Sequence, residues 1–365
     1  MELVLFGKGV GECILFHTGD FEWIVIDCCK NPNTSEPAPI SYLKGIGVVP
    51  EERIKKIIVS HFHSDHIEGM KDLISICSAA TVYIPDALSI NEACQLFAHQ
   101  DVGQVHFDHE LGSKEFIKVI KHLNQTGKYK TLKADILIHE NSQTNEQVFS
   151  LSPSEGDCRN LREKFQILLH SVSEQNIPAI TKDMSNHNCI AVNISSKFTE
   201  NSNNDVLLGA DLEVTKSNNN SGWDAVLSSQ KVPNNSASIF KIPHHGSVTG
   251  FHYDIWKKCF FGKPLGILTT FNRGRKKLPE EEYIRKYASL TSSLYSATKP
   301  DYFNKIKQSK NDKAIEKLLS KTKSTITRSQ RKSKGFGFIE ISQNSSGINV
   351  ELKGDAACIK TLLAS

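Results

Sequence analysis

At 365 residues, with 39% hydrophobic and 23% charged side chains, the chain has the make-up of a folded globular protein, long enough for one large domain or two modest ones. A formal net charge of +4 is too small to name a partner, and the absence of any apolar run of about 18 residues excludes a helical membrane span. Nine cysteines, an odd number at irregular spacing with one adjacent pair at Cys28-Cys29, form neither a disulfide framework nor a CxxC metal pattern, so reduced thiols in a cytoplasmic protein are expected.

The opening MELVLFGKGVGECILF has no basic n-region and no small-residue cleavage site, and reads as a first strand and turn. ECILFH and EWIVIDCC are strands around a TGDF hairpin; NPNTSEPAP is a loop and ISYLKGIGV a helix. IKKIIVS is a β-branched, mostly apolar strand of the kind found in a sheet covered on both faces, and SHFHSDHIEGM follows it at once. Ile67, Met70, Leu73, Ile74 and Cys77 then recur at helical spacing, and ATVYIPD returns to strand character. Residues 88–125 read as mainly helical, 132–152 as short strands, and CRNLREKFQILLHSVSEQ as an amphipathic helix. NCIAVNIS and DVLLGADLE are strands, NNNSGWDAVLSSQKVPNNS is loop-rich, and SIFKIPHHGS is a strand ending in two histidines. LGILTTF, PEEEYIRKYASL and GFGFIEIS supply a strand, a helix and a closing strand. This alternation predicts an α/β class or a layered sandwich with helices outside, without internal repeats or low-complexity segments.

The chemistry concentrates in H-x-H-x-D-H at residues 61–66. Alternate residues of an extended segment point to the same side, so His61 and His63 can converge on one ion. Asp65 and His66 lie further along the loop and can aim at a neighbouring position. Together they exceed the three protein ligands that a catalytic tetrahedral ion keeps, which suggests two adjacent metals acting on the attacking and leaving oxygens of a hydrolysis. The competing reading, a strand-to-helix loop with Asp65 or His66 as a cap, leaves the rest of the run without a purpose.

HFHSDH resembles the signature of the metallo-β-lactamase fold, a hydrolase fold built as an αββα four-layer sandwich. EWIVIDCC is similar to its first motif, ending in Asp27; VLLGADLE to the strand that ends in the bridging aspartate, Asp211; and KIPHHGS to the last ligand motif, with His244 and His245. The wording of GVGECILF, LLGADLE, KIPHHGS, LTTFNRGRKKLPEEEYI and GFGFIEI is most similar to the hydrolase domain of the ComEC-type competence proteins, and the resemblance spans nearly the whole chain. It implies one domain over residues 1–365, with a helical insertion around 88–180 and a basic C-terminal portion around 273–365. It also implies two divalent ions, Zn or Mn: His61 and His63 for the first, Asp65, His66 and His245 for the second, and Asp211 bridging. Asp27 would orient ligands from beneath. Asp65 and His244 are the expected catalytic residues, His244 facing the substrate to bind an oxyanion or protonate the leaving oxygen, with the two histidines interchangeable at this stage; a metal-bound hydroxide would be the nucleophile. Two departures from the pattern stand out. His187, in SNHNCIAV, is either a further ligand or a loop histidine, and Glu12 replaces a usual aspartate, in what reads as a turn near the site.

Substrate clues lie elsewhere. Residues 305–334 hold eleven Lys/Arg against two Asp/Glu, and RGRKK at 273–277 adds four basic residues, a charge able to neutralise phosphates or simply to solvate helix faces. Arg273, in the loop after a strand, is the candidate contact to a substrate phosphate. His106, Asp108 and His109 read as a solvated loop before a second metal site, Cys28 and Cys29 as small core residues, and SKGFGFIEI as the fold's last strand before an RNA-recognition octamer. The expected function is therefore a dinuclear-metal phosphodiesterase or nuclease acting on DNA or RNA, with nucleic acid as partner, no membrane, and a regulatory protein partner as its control, as in a phage-defence effector. The alternatives are a small-molecule phosphodiesterase, acting on a cyclic nucleotide or a phosphocholine-like ester, and a regulatory subunit that keeps the fold.

Overall fold

The computed structural model describes residues 1–86, 89–101, 114–173, 186–196, 204–215, 220–273, 277–304, 335–344 and 347–364. Its first strand, β1 (Glu2–Gly7), shows the principle on which the rest is built. Leu3 and Leu5 point to one face and Val4 and Phe6 to the other, and all four are buried, as a strand covered on both sides requires.

The first sheet contains β1, β2 (Glu12–His17), β3 (Trp23–Ile26), β4 (Ile54–Ile58), β5 (Thr81–Pro85) and β6 (Tyr129–Leu132). The second contains β7 (Ile136–Asn141), β8 (Glu146–Ser150), β9 (Val192–Ser196), β10 (Asp205–Leu208), β11 (Ala237–Lys241), β12 (Phe260–Leu268) and β13 (Leu294–Ser296). A C-terminal hairpin, β14 (Gly337–Asn344) and β15 (Gly347–Gly354), joins the first sheet, and β16 (Ala357–Cys358) joins the second. The resulting orders are β15-β14-β1-β2-β3-β4-β5-β6 and β16-β13-β12-β11-β10-β9-β8-β7, eight strands each. β14 lies antiparallel to β1, with Ile339 opposite Leu5, so the C-terminal segment is built into the same sheet as the start of the chain.

Three apolar layers result. Leu3, Leu5, Phe16, Ile24, Ile26 and Ile58 of the first sheet meet Ile194, Val206, Leu208, Ile239 and Ile267 of the second. Outside the first sheet, Val4, Phe6, Val25 and Ile57 pack under helices Ala38–Gly45, Met70–Ile76 and Lys114–Thr126. The last of these buries Phe116, Val119, Ile120 and Leu123, one stripe at i, i+3, i+4 and i+7. Outside the second sheet, Leu207, Phe240 and Leu268 pack against Trp223, Ile255, Ile284 and Tyr287. At ~1.5–3 kcal/mol per fully buried large apolar side chain, these layers are the main source of stability.

The order helix, sheet, sheet, helix is the four-layer sandwich expected. The segment around 88–180, expected as a helical insertion with short strands over 132–152, carries helices Ile90–Asp101, Lys114–Thr126 and Glu155–Ser173 together with β6 and β7, which edge the two sheets, and β8 beside β7. The basic run 305–334 and residues 106–109 lie outside the described residues. Strands β3, β4 and β5 pair in parallel, as do β10, β11 and β12, so several chains leave their strands at one end of the sandwich. That end is where ligands bind in parallel sheets generally.

Candidate metal centre

The site is built outward from Asp27. Leaving β3 at φ 61°, Asp27 donates its N–H to Ile58 O at 2.8 Å, which turns its carboxylate under the segment that follows β4. There Oδ1 accepts the Ser60 N–H at 2.7 Å, and Oδ2 accepts the Ser60 hydroxyl at 2.7 Å and pairs with His66 Nδ1 at 2.7 Å. Because the Ser60 proton goes to Asp27, Ser60 Oγ has lone pairs to offer His61 Nδ1, 3.0 Å away. One carboxylate therefore sets the Nδ1–H tautomer of both His66 and His61, and their Nε2 atoms are left buried without a hydrogen-bond partner. Burial works to raise the Asp27 carboxyl, and His66 and Ser60 pull against it.

The second sheet supplies the other half. A Cβ on Gly209 would stand 2.9 Å from Pro243 Cβ and 3.1 Å from Lys241 O, so only glycine allows the segments after β10 and β11 to pass this closely. Ala210 (φ 43°) then turns Asp211 inward, and His244 and His245 both adopt left-handed backbone (φ 48° and 51°). That double turn separates the two histidines. His245 enters the cluster, with Nε2 3.0 Å from Asp65 Oδ2 and 3.6 Å from Asp211 Oδ2, Nδ1 2.9 Å from Thr269 Oγ1, and its ring beside Phe271. His244 turns away.

Two groups of donors can each hold a cation. Asp65, His66, Asp211 and His245 offer atoms within 4.8 Å of one another, as do His61, His63 and Asp211, and every one of these residues is buried. Asp211 belongs to both. Its Oδ1 is a buried atom without a hydrogen-bond partner, 3.3 Å from the equally unpartnered His66 Nε2. Imidazole nitrogens and carboxylate oxygens suit Zn or Mn, so the residues fit divalent ions. Electrostatics set the metal-free state: against burial, Asp211, Asp27 and Asp65 raise the His66 imidazole well above its usual range, so a cation there must displace its proton. Burial, then His66 and His63, push the His61 imidazole well below its usual range, which keeps it a neutral donor. Against burial, His66 and His245 hold the Asp211 carboxyl well below the usual carboxylate range, and the same pair lowers Asp65. A third group, Glu12, Asp27 and His66, has its atoms spent on protein partners.

Residues 7–103, which include Asp27 and the whole H-x-H-x-D-H run, match the family model of the metallo-beta-lactamase superfamily. With the two layered sheets, that match decides the fold. The chain has the metallo-beta-lactamase fold. No curated protein matches it. Among solved structures it is similar to MEM-A1, a subclass B3 metallo-beta-lactamase from a soil metagenome library (15% identity, 67% of this chain and 78% of that one, TM-score 0.36). SMB-1, a metallo-beta-lactamase bound to 2-mercaptoethanesulfonate, is similar at 12% identity over 67% of this chain and 78% of that one, TM-score 0.34. Zn(2+)-bound PqqB from Methylobacterium extorquens follows at 10% identity over 66% and 69%, TM-score 0.30. At such identities and scores these likenesses carry no argument about activity.

Beside the donor groups of this metallo-beta-lactamase fold stands His244, outside both of them. Its Nδ1 lies 2.8 Å from Glu213 Oε1 and 2.9 Å from Thr249 Oγ1, and Glu213 also accepts from Asn186 at 3.1 Å and Thr249 at 2.8 Å. Burial would raise the Glu213 carboxyl, but these hydrogen bonds and the charge of His244 bring it down to about 2. Against burial, Glu213 raises His244. Glu213 was not singled out from the sequence; it lies two residues after Asp211 in ADLE, beyond the end of β10 and past a turn in which Leu212 donates its N–H to Gly209 O at 3.1 Å.

The remaining expectations fall as follows. His187 sits in the short turn Asn186–Asn188, outside all three donor groups, its Nδ1 buried without a hydrogen-bond partner. Arg273 is exposed, two residues beyond Phe271. Cys28 and Cys29 are fully buried, and burial pushes both thiols up, Cys29 to about 12. Glu12 differs from the expectation: it lies within β2 and not in a turn, and is buried against Lys241.

Proposed function

We propose that this protein is a metal-dependent phosphodiesterase acting on DNA or RNA. The single observation that carries the two-ion part is Asp211, a buried carboxylate shared by two donor groups, with an oxygen that no protein atom satisfies. His61 and His63 would hold one ion with Asp211, and Asp65, His66 and His245 the other. Bound there, divalent ions lower the pKa of water and polarise a phosphoryl oxygen. The chain's own residues do the rest. Asp27 and Ser60 orient His66 and His61. His244, held through Nδ1 by Glu213, keeps a proton available at Nε2 for the leaving oxygen. Arg273 would contact a substrate phosphate.

The choice of nucleic acid is supported by the resemblance to ComEC-type hydrolase domains and by the eleven Lys/Arg of residues 305–334. Nine free cysteines suit a reducing cytoplasm. A nuclease there needs control, which points to a regulatory protein partner and to a phage-defence setting. The test is to incubate the purified protein with Mn²⁺ or Zn²⁺ and plasmid, single-stranded DNA, RNA or bis-p-nitrophenyl phosphate, with an Asp65→Ala/His66→Ala variant as control. Cleavage of a polymer by the wild type alone is expected. Cleavage of the small diester only would replace the nuclease reading with a small-molecule one. No cleavage, or equal cleavage by the variant, ends the phosphodiesterase reading.

A further inference from the structure

A buried ion pair lies behind the donor groups. Lys241, the last residue of β11, and Glu12, the first of β2, come from different sheets, are 0% and 1% exposed, and bring Nζ and Oε1 to 2.5 Å. Such a pair is weakly explained by stability, because apolar residues in its place are often as good or better. Its other contacts are specific. Lys241 Nζ also donates to the carbonyl of Ala210 at 2.9 Å, the residue before Asp211. Glu12 Oε2 accepts the Thr269 hydroxyl at 2.6 Å, and Thr269 Oγ1 is 2.9 Å from His245 Nδ1.

The direction of this chain follows from donor and acceptor inventory. A carboxylate paired with a lysine has only acceptor sites, so the Thr269 proton goes to Glu12. Thr269 Oγ1 then offers only lone pairs, so His245 Nδ1 carries a proton. The nitrogen left for a cation is Nε2, which faces Asp65 and Asp211.

We infer that Glu12 and Lys241 are a positioning pair for the second donor group. Through Thr269 they set the tautomer and orientation of His245, and through the Ala210 carbonyl they hold the backbone that presents Asp211. Glu12 thus does for His245 what Asp27 does for His66. The inference rests on the proposal that His245 and Asp211 ligate a cation.

The test uses the full chain, Zn²⁺ affinity by chelator competition, the absorption spectrum of the Co²⁺-loaded protein, and the melting temperature. Three variants are compared with the wild type: Thr269→Val, which removes the hydroxyl at nearly constant volume; Thr269→Ser, which keeps it; and the Glu12→Gln/Lys241→Met double, which removes both charges together and leaves neither buried alone. Thr269→Val should weaken one Zn²⁺ equivalent by about 10- to 100-fold and spare the other, the double variant, which also frees the Ala210 carbonyl beside the shared Asp211, should weaken both, and each should alter the Co²⁺ bands. Thr269→Ser should match the wild type. Wild-type Zn²⁺ affinity and Co²⁺ spectrum in Thr269→Val overturn the inference, whatever happens to the melting temperature and whether or not the double variant folds. A wild type that binds no Zn²⁺ overturns the metal reading itself, and this inference with it.

Discussion

Asp27→Asn is the perturbation whose consequence can be worked most fully from the geometry. Two protons, from Ser60 Oγ and His66 Nδ1, converge on Oδ2, while the Ser60 N–H points at Oδ1, all at 2.7 Å. An amide nitrogen at the Oδ2 position would face both donors; turned the other way, it would face the Ser60 N–H. Either orientation leaves at least one buried donor opposed, at a cost of about 1–3 kcal/mol. With the amide nitrogen at the Oδ2 position both Nδ1–H tautomers lose their anchor; with the oxygen there they keep only a weaker, uncharged acceptor while the opposed Ser60 N–H displaces the segment that carries His61, so either orientation disturbs both donor groups. The expected loss of Zn²⁺ affinity is about 10- to 100-fold, which is ~1.4–2.7 kcal/mol, and it should reach both equivalents. This contrasts with Thr269→Val, which should reach one. Chelator competition gives the affinity and urea unfolding of the metal-free chain gives the stability. Asp27→Asn that binds both equivalents within about twofold of the wild type, against the ~10-fold minimum, would refute the relay through Ser60 and His66.

Three further outcomes are expected. In the metal-free chain, Glu213→Gln should destabilise most between pH 4.5 and 6.5: the lowered Glu213 contributes above its ordinary 4.5 and loses this as pH falls to about 2, while the raised His244 contributes below its ordinary 6.5 and loses this at higher pH. Discounted for partial exposure, the effect is about 1–3 kcal/mol by urea unfolding, and an equal effect at pH 2 would contradict it. Iodoacetamide at mildly alkaline pH should leave Cys13, Cys28, Cys29 and Cys189 unmodified in the folded protein, since burial pushes all four thiols up; rapid labelling seen by peptide mass spectrometry would count against the buried assignment. Arg273→Ala should weaken substrate binding without changing Zn²⁺ content, seen as a raised KM with unaltered metal analysis; unchanged KM on every cleaved substrate would remove Arg273 from the substrate's path.

Much of the architecture was legible because both-face burial leaves a plain mark. IKKIIVS and DVLLGADLE each carry a run of adjacent Ile, Val or Leu side chains that are buried on both faces, and both became central strands. The H-x-H-x-D-H run was legible because its donors are contiguous in the chain. What was not legible depends on pairings across the sheets. Glu12 and Lys241 are 229 positions apart in sequence, and neither stands in a local pattern that reveals a buried charge. The choice between His244 and His245 turned on two successive left-handed residues, which side-chain identity does not encode. Glu213 was hidden for a similar reason: its partner His244 arrives from another strand. β7 and β8 fall where short strands were expected over 132–152, whereas β6 begins before that stretch: as the last strand of its sheet it buries only Leu132 and carries little apolar signal.

The central claim is that two ions share Asp211, and metal stoichiometry tests it most directly. Elemental analysis after Zn²⁺ loading and desalting should find close to two equivalents in the wild type. The Asp65→Ala/His66→Ala variant, which keeps His61, His63 and Asp211, should hold close to one. A wild type that holds one equivalent or none, or a variant that still holds two, would contradict it.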